Sequence, residues 1–255
     1  MKQVRQAYRA SGFVGLTAAM LPVFLAHQRK VPERERETVR DLWVRRWARA
    51  LLSLFSIECV VHGSVPPPTR KGERGRLIVA NHRSAIDIGV LLSTFGGVMV
   101  SRADLAGWPV VGKAARAVGT VFVDRSNAES GAATIRAIQR RLDEGATVLL
   151  FPEGTTFDGD DVRPFFGGAF IAAARAGAEV LPVGLAYPRA SGAAFVGETF
   201  PQHLSRMAKS EGTKMALVVG TPIDVAKGSK AGPLTRRAQE EVSALVARAR
   251  AMCGT

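Results

Sequence analysis

The chain has 255 residues, 47% of them hydrophobic, with two cysteines, four histidines and a formal net charge of +13. That is apolar material for one sizeable core and too much for a disordered chain. Cys59 and Cys253 are too far apart for a disulfide framework or a metal spacing, and with four histidines they cannot build a zinc finger. The positive charge could serve nucleic acid, anionic lipid or a phosphorylated substrate. No finger spacing, aromatic RNA-binding run or homeodomain pattern supports the first, so no nucleic-acid partner is expected.

Residues 10–26 carry no charge, between Lys2, Arg5 and Arg9 on one side and His27, Gln28, Arg29 and Lys30 on the other. Seventeen residues lie at the lower limit for a spanning helix, and Pro22 and two glycines weaken a straight one. A membrane-embedded or interfacial segment, a cleaved signal and a buried core helix all fit, although no small-x-small cleavage site follows. In residues 39–57, Val39, Trp43, Trp47, Ala50, Leu51 and Leu54 recur at helical spacing. Arg40, Arg45, Arg46 and Arg49 crowd the other surface, a pattern that suits an anionic bilayer and also a helix packed on a domain. Eleven Lys/Arg against four Asp/Glu give residues 1–50 a local +7. With "VPERERE" as the breaker, residues 1–56 are expected to form a membrane-associated helical hairpin.

From residue 57 the pattern changes. "IECVVHG", "RLIVA", "GGVMVS", "TVLLF", "EVLPVGLAY" and "KMALVVG" read as strands. Helices are expected over 84–92, through Ile135, Ile138 and Leu142 to about Gly145, over 170–176 and over 234–252. Ser126 and Glu129 have capping-box spacing. Short apolar strands alternating with helices indicate an α/β domain over 57–255. There is no repeat, Walker A motif or dinucleotide fingerprint.

Three clusters could carry chemistry. His82 and Asp87 follow the strand "RLIVA"; a carboxylate on one imidazole nitrogen fixes the tautomer, and the other nitrogen can take a proton from a hydroxyl. The plain alternative is a polar loop or a helix cap. Ser84 does not sit in a G-x-S-x-G elbow, so direct attack by a substrate hydroxyl is the simpler scheme. "GTVFVDR" delivers Arg125, which could clamp a phosphate or form a surface ion pair. "LLFPEGTTFDGDD" leaves Glu153 at an exposed turn beside Pro152 and Gly154. There it could contact a headgroup, shape a pocket or be a solvated carboxylate. Asp158, Asp160 and Asp161 lack the closing glutamate of a calcium loop, so no metal is expected.

Taken together, "NHRSAID", "GTVFVDR", "FPEGTT" and "VLPVG" resemble, in order and interval, the four blocks of the PlsC-like glycerolipid acyltransferases, with the motif-bearing core at 76–225. The resemblance implies one α/β acyltransferase domain with a mixed central sheet flanked by helices. It also implies an N-terminal interfacial hairpin anchoring the chain, as a monotopic protein, to the cytoplasmic face of the inner membrane. The implied reaction moves a fatty acyl chain from acyl-CoA or acyl carrier protein to the free hydroxyl of a lysolipid, with no tightly bound cofactor. His82 would be the base and Asp87 its orienter. Arg125, Glu153, Gly154 and Thr155 would bind the acceptor, and Asn81, Pro152 and Pro182 would shape the site or the acyl path. The oxyanion donor is not identified, though a nearby backbone N–H could serve. The expected acceptor is 1-acylglycerol-3-phosphate, giving phosphatidate. The alternatives are a lyso-ornithine lipid, another lysophospholipid, or a non-catalytic lipid-surface role. Thr156 bears on this choice, because it stands where phosphatidate-forming members often carry an arginine.

Overall fold

A computed structural model describes residues 2–124 and 128–253. Arg125 and Ser126, both singled out above, lie outside the described residues. Helices α1 (Lys2–Lys30) and α2 (Arg36–Leu54) form the expected hairpin. Helix α1 continues unbroken through Pro22, and 11% of its most apolar window is buried. It is fixed at three levels. Arg9 donates to the Ser210 carbonyl and to Ser56 Oγ, both at 2.7 Å. Trp47 Nε1 donates to Thr17 Oγ1, and Trp43 Nε1 to His27 Nδ1, each at 3.0 Å. The two tryptophans of the amphipathic stripe thus tie α2 to α1.

Among the described residues, the body is a seven-stranded sheet ordered β1-β7-β6-β2-β5-β3-β4. Its strands are β1 (Ile57–His62), β2 (Arg76–Ala80), β3 (Val98–Arg102), β4 (Val121–Val123), β5 (Thr147–Leu150), β6 (Glu179–Ala186) and β7 (Thr213–Val219). All pairings are parallel except β6 with β7, so the sheet is mixed as expected. Helices α3 (Ile86–Phe95), α4 (Val111–Ala117), α5 (Ala128–Asp143), α6 (Gly168–Ala176), α7 (Phe200–Lys209) and α8 (Ala231–Met252) complete the chain.

The unbroken apolar run of β2 reflects burial on both faces. With a side-chain period of two, Leu77 and Val79 enter the core shared with α5, α6 and α8, whereas Ile78 and Ala80 enter the one shared with α2, α3 and α7. Val148 and Leu149 divide the same way on β5. Gly184 of β6 permits close approach to α8: a Cβ there would stand 2.4 Å from the Leu245 carbonyl carbon. Pro182, opposite Val79 in the middle of β6, supplies its carbonyl to Gly220 N–H at 3.0 Å.

Candidate active site

The site lies where three neighbouring parallel strands, β6, β2 and β5, end side by side, the usual position for chemistry in an α/β sheet. Strand β2 leads into Asn81 and His82, β5 into Phe151 and the "PEG" turn, and β6 into Tyr187. Asn81 is fully buried and acts as a clasp: its amide donates to the Leu185 carbonyl at 3.0 Å and its Oδ1 accepts the Leu185 N–H at 2.8 Å. The ends of β2 and β6 are thereby locked together.

His82 Nδ1 lies 2.9 Å from Asp87 Oδ2. The carboxylate can only accept, so Nδ1 carries the proton and Nε2 is the basic nitrogen. The ring stacks on Phe151, with centroids 3.9 Å apart and planes 6° from parallel, which leaves it little rotational freedom. Asp87, wholly buried in the first turn of α3, also accepts from Arg83 N–H (2.7 Å) and Ser84 N–H (2.8 Å), and Oδ1 accepts from the Tyr187 hydroxyl. These donors, at the first turn of a helix, fix the carboxylate in one orientation. Burial, and after it the Asp87 charge, push the Tyr187 phenol well above its usual range, so it stays a donor.

Glu153 does not sit at an exposed turn with a solvated carboxylate, which was one reading of the sequence. It is 3% exposed. Oε2 accepts the His82 N–H at 2.7 Å, Oε1 accepts the Arg163 N–H at 2.8 Å, and Arg83 Nη1 donates to both oxygens. Arg83 is itself buried. Its remaining donors hold the carbonyls of Gly159 (2.5 Å) and Asp161 (2.6 Å), so one ion pair fixes the His82 backbone and the loop from 157 to 161. Gly154 supplies the turn: its φ of +82° is in the left-handed region that favours glycine. Pro152 is buried and accepts the Phe166 N–H at 2.9 Å, whereas Thr155 is exposed. The Thr156 hydroxyl donates to the Phe195 carbonyl. Within the acidic trio, Asp158 accepts from Gly159 N–H and Asp160 pairs with Arg250 and Arg189. The backbone N–H groups of 82, 83 and 84 are committed to carboxylates, so an oxyanion would have to find its donor elsewhere.

An apolar cavity of about 240 Å³ adjoins the residues that flank Asp87 in the chain, although neither His82 nor Asp87 lines it. Phe13, Met20 and Phe24 of α1 and Trp47 of α2 cover it, and Ala85 and Ile86 bring it to the residues immediately after Ser84. Pro182 is not among the residues that line it. Two buried polar residues joined to this centre, Tyr187 and His203, were not singled out in the sequence. They belong to no motif, and the chain approaches Asp87 from 100 residues away in the case of Tyr187.

A histidine–carboxylate pair at strand ends, near an apolar cavity, is equipped to deprotonate a hydroxyl close to a fatty chain. The acyltransferase family model matches residues 58–186, about half the chain. The lyso-ornithine lipid O-acyltransferase of Pseudomonas aeruginosa is 30% identical over 95% of this chain and 93% of its own. This protein belongs to the acyltransferase family. The 1-acyl-sn-glycerol-3-phosphate acyltransferase of Neisseria gonorrhoeae is 34% identical over 47% of each chain. The crystal structure of the 1-acyl-sn-glycerophosphate acyltransferase PlsC from Thermotoga maritima superposes with a TM-score of 0.74 over 97% of both chains at 21% identity, which establishes a common PlsC fold. Fold and family therefore agree with the expectation from the four sequence blocks.

Proposed function

We propose that this acyltransferase esterifies the free hydroxyl of a lysolipid and that His82 is its general base. His82 Nε2 takes the hydroxyl proton as the oxygen attacks the thioester carbonyl of acyl-CoA or acyl carrier protein. The imidazolium, held by Asp87, then returns that proton to the departing thiolate. No acyl-enzyme and no tightly bound cofactor are needed. The observation that carries this reading is the buried Asp87 on Nδ1 of a ring clamped by Phe151, near a cavity suited to the acyl chain.

For the acceptor, a lyso-ornithine lipid is now the first reading and 1-acylglycerol-3-phosphate the second. Similarity to a lyso-ornithine enzyme runs through 95% of the chain, and Thr156, whose hydroxyl is spent on Phe195, offers no cation for a phosphate. The match to the Neisseria enzyme supports the second. Arg125, Gly154 and Thr155 are proposed to bind the acceptor, Arg125 through an anionic group that either acceptor offers. Glu153, whose oxygens are both occupied, acts by holding the turn. The exposed apolar residues of the hairpin and the basic charge support a monotopic placement on an anionic membrane, which is proposed to be at the cytoplasmic face where either donor is available. Labelled acyl-CoA and acyl carrier protein, each offered with a panel of lysolipids, test these assignments. Labelled ornithine lipid is the expected product, and labelled phosphatidate alone would reverse the acceptor ranking.

A further inference from the structure

Asp87 is approached from behind as well as from His82. Tyr187, the first residue after β6, is 6% exposed and donates its hydroxyl to Asp87 Oδ1, the oxygen not used by the imidazole. A phenylalanine would fill the same apolar space, so the hydroxyl is there for the bond it makes. Ser84, whose N–H donates to Asp87 Oδ2 at 2.8 Å, continues the network. Ser84 Oγ lies 3.3 Å from His203 Nε2, and His203 Nδ1 lies 2.9 Å from Glu198 Oε1. A polar chain of Ser84, His203 and Glu198 thus leads from Asp87 to α7.

We propose that Tyr187 is a positioning residue for acyl transfer: its hydroxyl fixes the Asp87 carboxylate and draws charge from it, which sets how firmly Asp87 holds the protonated His82 ring. The inference rests on His82 being the base. Removing the hydroxyl concentrates negative charge on Oδ2, strengthens the grip on the imidazolium and leaves less neutral His82 at a given pH. A more acidic phenol is a stronger donor and does the opposite. Among the described residues, the other charged or titratable groups near the dyad and Tyr187 are Arg83 with Glu153, Cys59, His203 with Glu198 and Arg206, and Arg250, which pairs with Asp160 and holds the Tyr187 carbonyl. Burial pushes the Cys59 thiol up to about 12, so it stays neutral. Burial lowers His203, which calls for a His203→Gln control.

The test uses the full chain in detergent micelles and reads the pH profile of kcat/KM for acyl transfer. Tyr187→Phe should move the acid limb up by about half to one pH unit and lower kcat about three- to tenfold, with both KM values within about twofold. The chain has two tyrosines. In a Tyr8→Phe background, 3-fluorotyrosine therefore enters only position 187 and should move the limb down. Shifts of opposite sign that persist in the His203→Gln background establish the role. Profiles that superimpose on wild type, shift in the same direction, or fall equally at every pH overturn it. Should Tyr187→Phe not fold, the nearly isosteric fluorotyrosine chain decides alone. If the wild type transfers no acyl group, the proposed function fails. The pH course of the His82 ring NMR signals in the same chains then judges the tyrosine separately.

Discussion

At the scale of single residues, the site is a small set of carboxylates with every oxygen assigned. Asp87 takes the imidazole, two backbone N–H groups and a phenol; Glu153 takes Arg83 and two backbone N–H groups. Breaking the second set should be expensive. Glu153→Ala strands the buried Arg83 charge and frees the His82 backbone, with an expected loss of about 3–5 kcal/mol in urea unfolding. Unchanged stability would show that the pair is dispensable. Thr156→Arg probes specificity: adding the cation should raise the use of lysophosphatidate relative to lyso-ornithine lipid in competition assays. An unaltered product ratio would remove Thr156 from the account.

At the scale of elements, α7 and the hairpin each carry a prediction. On α7, Arg206 donates to Glu198 and holds its carboxyl below the usual range, while burial lowers His203. In both cases the unfolded chain binds protons more readily. Stability is therefore complete above the unfolded values and is lost as pH falls, for His203 beginning near 6.5. His203→Gln should flatten the dependence of the urea midpoint on pH between about 6.5 and 5, and an unchanged slope would contradict it. Under the hairpin, Gly89 of α3 lines the cavity, and a Cβ there would just touch Leu52 at 3.4 Å. Gly89→Leu should shift donor preference toward shorter acyl chains, read from competition between acyl-CoA lengths. Six strands were legible from their apolar runs, whereas β4, three residues within "GTVFVDR", was not; α2, α5 and α8 were legible because their stripes repeat at helical spacing. Helices α4 and α7 were not: α4 has seven residues, and "FPQHLSRMAK" is half polar, begun by the Thr199–Gln202 capping box and Pro201. His82 and Asp87 could be found because they are five residues apart and share a motif. Tyr187 and His203 could not, because only the sheet order brings the end of β6 and helix α7 to Asp87.

At the scale of the molecule, the hairpin covers an apolar cavity that reaches Ala85 and Ile86, the residues just before Asp87. Val14, Val23 and Leu25 of α1 remain exposed above the cavity, on a chain of net charge +13. Binding to anionic vesicles should weaken with salt yet persist at high ionic strength through the apolar face, whereas neutral vesicles should show only the persistent part. Complete release by salt would mean that α1 does not enter the bilayer. In the proposed reaction His82 draws the proton from the acceptor hydroxyl. The most direct test of that step is turnover of purified His82→Ala protein with labelled acyl-CoA and the preferred lysolipid, alongside a thermal unfolding scan and vesicle binding. The expected result is a loss of at least about a thousandfold in kcat with folding and membrane binding retained; turnover at the wild-type rate would contradict it.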